Sequence, residues 1–412
     1  MAPTAATEYD IAIIGGGIAG AAIARDASLR GLRVVLFEQN TIGSGTSSKS
    51  SRLIHGGIRY LEIAWDYLVH GQFVEAWTNF KFVFLALREC RILEKIAPSL
   101  IHTIPIILPI YRSDPRPKWM IMAGCWLYSW LARLSGPANP CRFFHSPSAL
   151  NAVIPGLKQE GLLGGVQIWD RLTDDLRLTQ AVAASARDQG ATLCEHTLVL
   201  SYRYEASHRY FVVVTQSATG VKQEARARFL VNASGAWVDQ VRENAQEKQP
   251  KLVVPIAGAH IHVRKFVETS LLLQAKDRRI FFVINVGDEA RIGTTERKHM
   301  DPNHVVATDS EIDYLIDSLN FYFPNRNFGR KDVLRSDAGI RPLYRSSATE
   351  AANKISREHQ IVEGPCGVLH VVGVKLTDHR RAAREVLERL YPQIKLRCPH
   401  FKKHSETEKL PL

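Results

Sequence analysis

Short apolar runs alternate with helically spaced apolar residues from the start of the chain. Asp10–Ile14 has the character of a buried strand. Ile18–Leu29 has helical spacing and stops at Gly31, and Leu32–Phe37 is a second strand-like run. Helical spacing returns over Ala64–Pro98. There Leu68, Phe73, Ala76, Trp77 and Phe80, then Phe84, Leu87, Leu93 and Ile96, recur, and the pattern predicts a helix with these side chains in a core. Ile101–Tyr111 carries two prolines, which excludes a long regular helix. A helix is predicted over Arg177–Gln189, closed by Gly190, and strands over Ala191–Leu198, Arg209–Thr215 and Ala227–Val231. From residue 250 the pattern changes. Strands at Val253–Ile256, Ala259–Val263, Ile280–Val286 and Arg291–Thr295, joined by short turns, predict an antiparallel sheet. Helices follow over Ser310–Phe323 and Asp378–Leu390, with a strand at Gly367–Val372 between them.

Trp119–Leu134 is very apolar, contains three tryptophans and is flanked by cations. It falls short of the ~20 apolar residues that span a bilayer. Its composition suits a helix lying in the headgroup layer, and a buried core helix is the other reading. The 412 residues are enough for two domains, and 45% hydrophobic with 23% charged content is that of a globular protein. The net charge of +12 favours anionic partners such as phosphates or an acidic membrane surface. No long basic block or nucleic-acid motif accompanies it, so nucleic acid is not an expected partner. The six cysteines are scattered, which argues against a zinc site or a disulfide framework and fits a reducing compartment. The N-terminal residues lack the pattern of a signal peptide. Asp174 and Asp175 precede a helix, where carboxylates serve as cap and dipole partners more often than as a metal site.

Between the first strand and the first helix, Gly15, Gly17 and Gly20 spell G-x-G-x-x-G. Gly15 permits the tight turn, Gly17 lets a pyrophosphate lie against the backbone, and Gly20 lets the helix sit close to the strand. The helix N-terminus offers free N–H groups to phosphate. Glu38 ends the second strand 18 residues after Gly20, where a carboxylate accepts from ribose hydroxyls and repels a 2′-phosphate. The whole unit predicts dinucleotide binding.

Gly43–Arg52 is a run of small hydroxyl residues that leads into Leu53-Ile54-His55-Gly56-Gly57-Ile58-Arg59-Tyr60-Leu61-Glu62. This stretch resembles the FAD-dependent glycerol-3-phosphate dehydrogenases of the D-amino-acid-oxidase-like superfamily, whose motif runs G-T-S-S-x-S-S-K/R-L-I/V-H-G-G-x-R-Y-L-E. Further matches are Arg116 to Ile121, Leu172 to Leu178, Asn232 to Trp237, Ile256 to His260, Arg279 to Ile284, Ile292 to Thr295, Ser336 to Leu343, Ile355 to His359 and Gly373 to Thr377. The resemblance covers about Tyr9 to Leu390.

The resemblance implies an α/β fold with a discontinuous FAD-binding domain (1–95, 165–250 and 335–392) and an antiparallel-sheet substrate or cap domain (96–164 and 251–334). Residues 393–412 are read as a polar tail. Gly15, Gly17, Gly20, Glu38, Thr46, Ser47, Ser48, Gly56, Gly235, Trp237, Gly373, Leu376 and Thr377 would contact FAD. Arg59, Arg341, Arg357 and Lys375 would bind phosphate or polarise a substrate oxygen, and Tyr60 would hydrogen-bond the substrate. His55 or His260 would be the base, since an imidazole titrates near working pH. The implied reaction oxidises sn-glycerol 3-phosphate to dihydroxyacetone phosphate, with electrons passed to a quinone. The implied place is peripheral, on the cytoplasmic side of a membrane, with a soluble cytoplasmic protein as the other possibility.

Three departures stand out. Val374 replaces a family glycine beside the flavin, Ala257 replaces a lysine, and the helical C-terminal domain usual in bacterial members is not found after Pro392. Two other readings therefore remain: a related oxidase of another hydroxy acid or an amine that uses oxygen, and a catalytically silent flavin-binding protein.

Overall fold

The two apolar runs that flank the glycine motif lie side by side as parallel strands, with Ile11 opposite Val34 and Ile14 opposite Phe37. The structure is a computed structural model that describes residues 8–345 and 359–412. In chain order the first elements are β1 (Glu8–Ile14), α1 (Ile18–Leu29), β2 (Val34–Phe37), β3 (Leu53–Ile54), α2 (Arg59–Val69), α3 (Phe73–Ile96), β4 (Ile101–Tyr111), α4 (Lys118–Leu134) and β5 (Arg142–Phe144). Then come α5 (Pro147–Asn151), β6 (Leu162–Thr173), α6 (Asp175–Asp188), β7 (Thr192–Cys194), β8 (Thr197–Glu205), β9 (Tyr210–Ser217), β10 (Lys222–Asn232), α7 (Val238–Asn244), β11 (Val253–Arg264) and β12 (Ser270–Gln274). The chain ends with β13 (Ile280–Val286), β14 (Glu289–Gly293), β15 (Arg297–Lys298), α8 (Asp309–Tyr322), β16 (Val333–Tyr344), β17 (Gln360–Glu363), β18 (Leu369–Val372) and α9 (His379–Arg397).

One sheet runs β17-β18-β10-β1-β2-β7, with the β8–β9 ribbon attached to β10. Side chains of β1 alternate between two cores. Ile11 and Ile13 pack with α1, α6 and α9, whereas Ala12 and Ile14 pack against the ribbon. Each fully buried isoleucine contributes roughly 1.5–3 kcal/mol. The other sheet runs β15-β11-β14-β13-β12-β4-β6-β3, with β16 on β11 and β5 on β6. Its pairings are antiparallel except β12 with β4. Helix α8 covers one part of it, and α2, α3 and α4 cover another. The fold is therefore α/β as expected, with Asp174 capping α6 by accepting from Arg177 N at 2.9 Å.

Several expectations need correction. Residues 165–173 and 335–344 were assigned to the cofactor domain, yet β6 and β16 are strands of the second sheet. The helix read over Ala64–Pro98 is two helices, broken at Gly71, whose φ of +73° belongs to the left-handed region. Leu68 near the end of α2, and Phe73 and Trp77 at the start of α3, are exposed rather than in a core, whereas Leu87, Leu93 and Ile96 further along α3 are buried. The two strands read over Val253–Val263 are one, continuous through Gly258. Helix α9 runs past Pro392 to Arg397, because fully buried Ile394 anchors its last turn.

The C-terminal residues are packed, not a free polar tail. Buried Arg25 on α1 and Arg30 at its C-cap need acceptors, and the tail's carbonyls supply them. Arg25 Nη2 donates to Leu410 O at 2.8 Å and Arg30 Nη1 to Lys403 O at 2.6 Å. Leu412 N donates to Ile96 O at 2.7 Å.

Candidate active site

The turn from β1 into α1 is built around missing side chains. Gly15 has φ +103°, and a Cβ there would stand 2.7 Å from Ser234 Cα; one on Gly20 would stand 1.9 Å from Gly15 O. Ser47 Oγ accepts from Ile18 N at 3.0 Å, which sets a hydroxyl at the N-terminus of α1. Glu38 is held by Gly16 N at 2.7 Å and Asn40 N at 2.9 Å. Gly15, Ile18, Glu38, Asn40, Ser47 and Ser234, with Gly17, Thr46, Gly235, Trp237, Gly373 and Val374, line a cleft of about 980 Å³. A cradle of backbone, a helix N-terminus, a carboxylate and an indole suits a dinucleotide. Val374 lines the cleft while packing on the core below it.

Five expected cofactor contacts are not among the cleft-lining residues; one is Gly20, buried against the Gly15 carbonyl beneath the turn. Ser48 Oγ donates to Ser44 O and Gly45 O, closing its own turn. Gly56 N donates to Tyr128 Oη at 2.8 Å, Leu376 is buried in the core, and Thr377 Oγ1 bonds the backbone of His55. Thr46 lines the cleft, but its hydroxyl donates to Ile340 O at 2.8 Å.

The cleft wall includes Val374 and Pro342, and their neighbours in the chain are Lys375 and Arg341. Lys375 Nζ donates to Tyr60 Oη at 3.1 Å and lies over the rings of Tyr60 and Phe82. His55 belongs to the same group. Burial, and then the Lys375 ammonium, push its pKa down to about 4. Gly57 N–H donates to His55 Nδ1 at 3.0 Å, so the neutral ring carries its proton on Nε2.

Arg341 Nη2 lies 3.5 Å from where a Cβ on Gly258 would stand, and its Nη1 donates to Glu296 Oε1 at 3.4 Å. His260, two residues along β11, is buried and has a pKa of about 4. Burial lowers it, hydrogen bonding to Asp337 opposes that, and Arg291 and then Arg341 lower it further. Arg59 does not join this group. Adjacent helix residues point about 100° apart, so with Tyr60 turned to Lys375, Arg59 lies exposed on another face of α2. Arg357 lies outside the described residues. Ala257 is fully buried among Ala236 and Ile340, so this position offers no cation.

The sequence reading missed the polar cluster behind His260. Arg291 Nη1 and Nη2 each donate to Asp337 at 2.8 Å, and they also reach His262 Nε2 and His260 Nδ1, each at 3.0 Å. A guanidinium is always a donor, so His260 Nδ1 accepts and Nε2 bears the proton. That Nε2 is buried and has no protein partner. Spacing was the available signal. His260 and His262 share one strand face, and β-pairing sets Asp337 opposite His260 and Arg291 opposite His262.

A second cleft, of about 1380 Å³, opens between α2, α4 and the strands β4 and β12; it is lined by Leu61, Trp65, Trp119 and Met120 among others. Trp65 and Trp119 in its lining are exposed, as are Leu68, Val69, Phe73, Trp77, Trp126 and Trp130 on α2, α3 and α4. Among the described residues no helix is long and apolar enough to cross a membrane, and no group of three or more His, Cys, Asp or Glu side chains could hold a metal ion.

This arrangement is that of a flavoprotein oxidoreductase. Residues 10–388 match the FAD dependent oxidoreductase family, and the chain belongs to it. FAD is its cofactor, and the glycine cradle, Ser47, Glu38 and Trp237 are the groups that fit it. The chain is 36% identical over 394 residues to the glycerol-3-phosphate dehydrogenase of Pseudomonas aeruginosa, covering 93% of this chain and 72% of that one. It is 35% identical over 399 residues to the D-erythritol 1-phosphate dehydrogenase of Brucella abortus, covering 93% and 74%. The glycerol-3-phosphate dehydrogenase of Bacillus halodurans, solved with FAD, superposes with a TM-score of 0.74 at 25% identity. That match covers 94% of this chain and 65% of the other, so this chain spans just under two thirds of that relative's length.

Proposed function

We propose that this chain oxidises sn-glycerol 3-phosphate to dihydroxyacetone phosphate. The observation that carries the reading is the meeting of Lys375, Tyr60 and His55, with Lys375 directly after Val374 and Arg341 directly before Pro342, both residues of the cofactor cleft wall. Bound FAD supplies the hydride acceptor. Lys375 and Arg341 hold the phosphate, Arg341 as a planar fork and Lys375 as a point charge, so that the carbinol carbon is oriented. Arg357 is proposed to join them. Tyr60 donates to the substrate. Phosphate-bearing alcohols are also the substrates named for the relatives above.

The two histidines take different roles. His260 is fixed as a donor by Arg291, and its unpartnered Nε2–H hydrogen-bonds the substrate oxygen. His55 takes the hydroxyl proton. To accept it, the ring gives up one neutral hydrogen bond to Gly57, worth about 1 kcal/mol, whereas His260 would have to turn a second N–H toward a guanidinium.

The electron acceptor proposed for the bound FAD would be a quinone at a membrane surface. Helices α2, α3 and α4 expose five tryptophans, of which Trp65 and Trp119 line the second cleft, and the chain's +12 charge favours anionic lipid. The substrate reading is tested by anaerobic reduction with glycerol 3-phosphate, D-erythritol 1-phosphate and glycerol. The phosphates bind at least about 100-fold tighter than glycerol, the effect of losing a charge-assisted contact. Equal affinity for glycerol overturns the phosphate site.

A further inference from the structure

The loop that carries His55 is tied to a helix that contributes nothing to the cofactor cleft. Gly56 N–H donates to Tyr128 Oη at 2.8 Å, and Tyr128 O–H donates to Asp170 Oδ1 at 2.8 Å. Tyr128 belongs to α4 and Asp170 to β6, and all three residues are buried. A Cβ on Gly56 would stand 3.0 Å from Tyr128 Oη and 2.5 Å from Leu87 Cγ, so only glycine lets the phenol come this close. His55 and Gly57 are held separately. Thr377 Oγ1 bonds the His55 backbone and Gly57 N–H bonds the His55 ring. Three consecutive residues are thus pinned, and the middle pin comes from outside the site.

A buried peptide N–H needs an acceptor. Tyr128 serves only if its own hydrogen points elsewhere, and Asp170 sets that direction. Burial raises the Tyr128 hydroxyl well above its ordinary pKa, so it remains an O–H donor.

We propose that Tyr128, oriented by Asp170, is a positioning residue that sets the His55–Gly57 loop for proton transfer. The proposal rests on the reading of His55 as proton acceptor.

The test is anaerobic stopped-flow reduction of the holoprotein by glycerol 3-phosphate. Tyr128→Phe keeps the wild-type flavin content and substrate Kd, and its limiting reduction rate falls about 10-fold. Asp170→Asn, which keeps an acceptor oxygen, stays within about twofold of wild type. Because Tyr128 acts through His55, the double variant His55→Ala/Tyr128→Phe is no slower than His55→Ala alone. A wild-type rate in Tyr128→Phe, or slowing that multiplies with His55→Ala, overturns the proposal. Should Tyr128→Phe fail to take up flavin, Asp170→Leu carries the same expectation, since it keeps the phenol and removes its anchor. If wild-type flavin is not reduced at all, the substrate reading fails. The positioning claim is then decided by the ¹⁵N resonances of the His55 imidazole, which Tyr128→Phe shifts; unmoved resonances overturn it.

Discussion

His359 Nδ1 lies 2.5 Å from Asp378 Oδ2, and its Nε2 lies 2.8 Å from Glu385 Oε2, so one buried imidazole is gripped by two carboxylates. Asp378 is three residues beyond Lys375, and the grip fixes the turn that presents that lysine. Burial alone would lower the imidazole pKa, but the bonds to Asp378 and Glu385 win and raise it to about 9.

A stability prediction follows from that sign. A raised histidine pKa stabilises fully below the unfolded value near 6.5, and the contribution disappears as pH climbs through about 9. Chemical denaturation at pH 6.5 and at pH near 10 should show wild type losing up to about 3 kcal/mol more than His359→Gln over that interval. Equal losses would show that the ion pair is not formed.

The glycine turn makes a prediction about flavin. Gly15→Ala adds a methyl 2.7 Å from Ser234 Cα at a φ of +103°, and Ser234 borders the cleft. The variant should fold and purify with less than about a tenth of the wild-type flavin, given strain of a few kcal/mol at such a site. Full flavin content would remove the turn from the cofactor site.

The roles given to the two histidines separate under substitution. Gln can donate a hydrogen bond but cannot serve as a base, so His260→Gln should retain at least about 10-fold more flavin reduction rate than His55→Gln. His55 must be neutral to accept a proton. With its pKa at about 4, reduction should stay flat from pH 7 to pH 5 and fall only toward 4. A break near 6.5 would place the base elsewhere.

The apolar face spans more than one helix. Trp77 on α3 and Trp126 on α4 are 65% and 56% exposed. Trp77→Ser and Trp126→Ser should each weaken binding to anionic lipid vesicles, together by about 10-fold or more, since each indole buries a large apolar area. Unchanged sedimentation with vesicles would argue that this face meets something other than lipid.

The cofactor half was legible in the sequence because its determinants are local. Gly15, Gly17 and Gly20 act through one turn, and Glu38 lies one strand away. The parts that were not legible depend on distant packing. Arg291 and Asp337 are 46 residues apart and meet only through β-pairing with the strand of His260 and His262. Trp77 has the periodicity of core residues, and spacing cannot say whether anything covers the helix that bears it. Arg59 matched a family motif, yet helix geometry turns it away from Tyr60. The last residues read as polar, and their backbone carbonyls, invisible in side-chain patterns, are what bind Arg25 and Arg30.

The central claim is that Lys375 and Arg341 hold glycerol 3-phosphate for oxidation, with the glycine cradle holding the FAD that would accept the hydride. Anaerobic mixing of purified holoprotein with glycerol 3-phosphate, followed by visible flavin absorbance, tests it most directly. The account predicts bleaching that saturates with substrate, with a Kd raised at least about 10-fold in Lys375→Met and in Arg341→Ala. Flavin that stays oxidised with glycerol 3-phosphate, or variants that bind it as tightly as wild type, would contradict it.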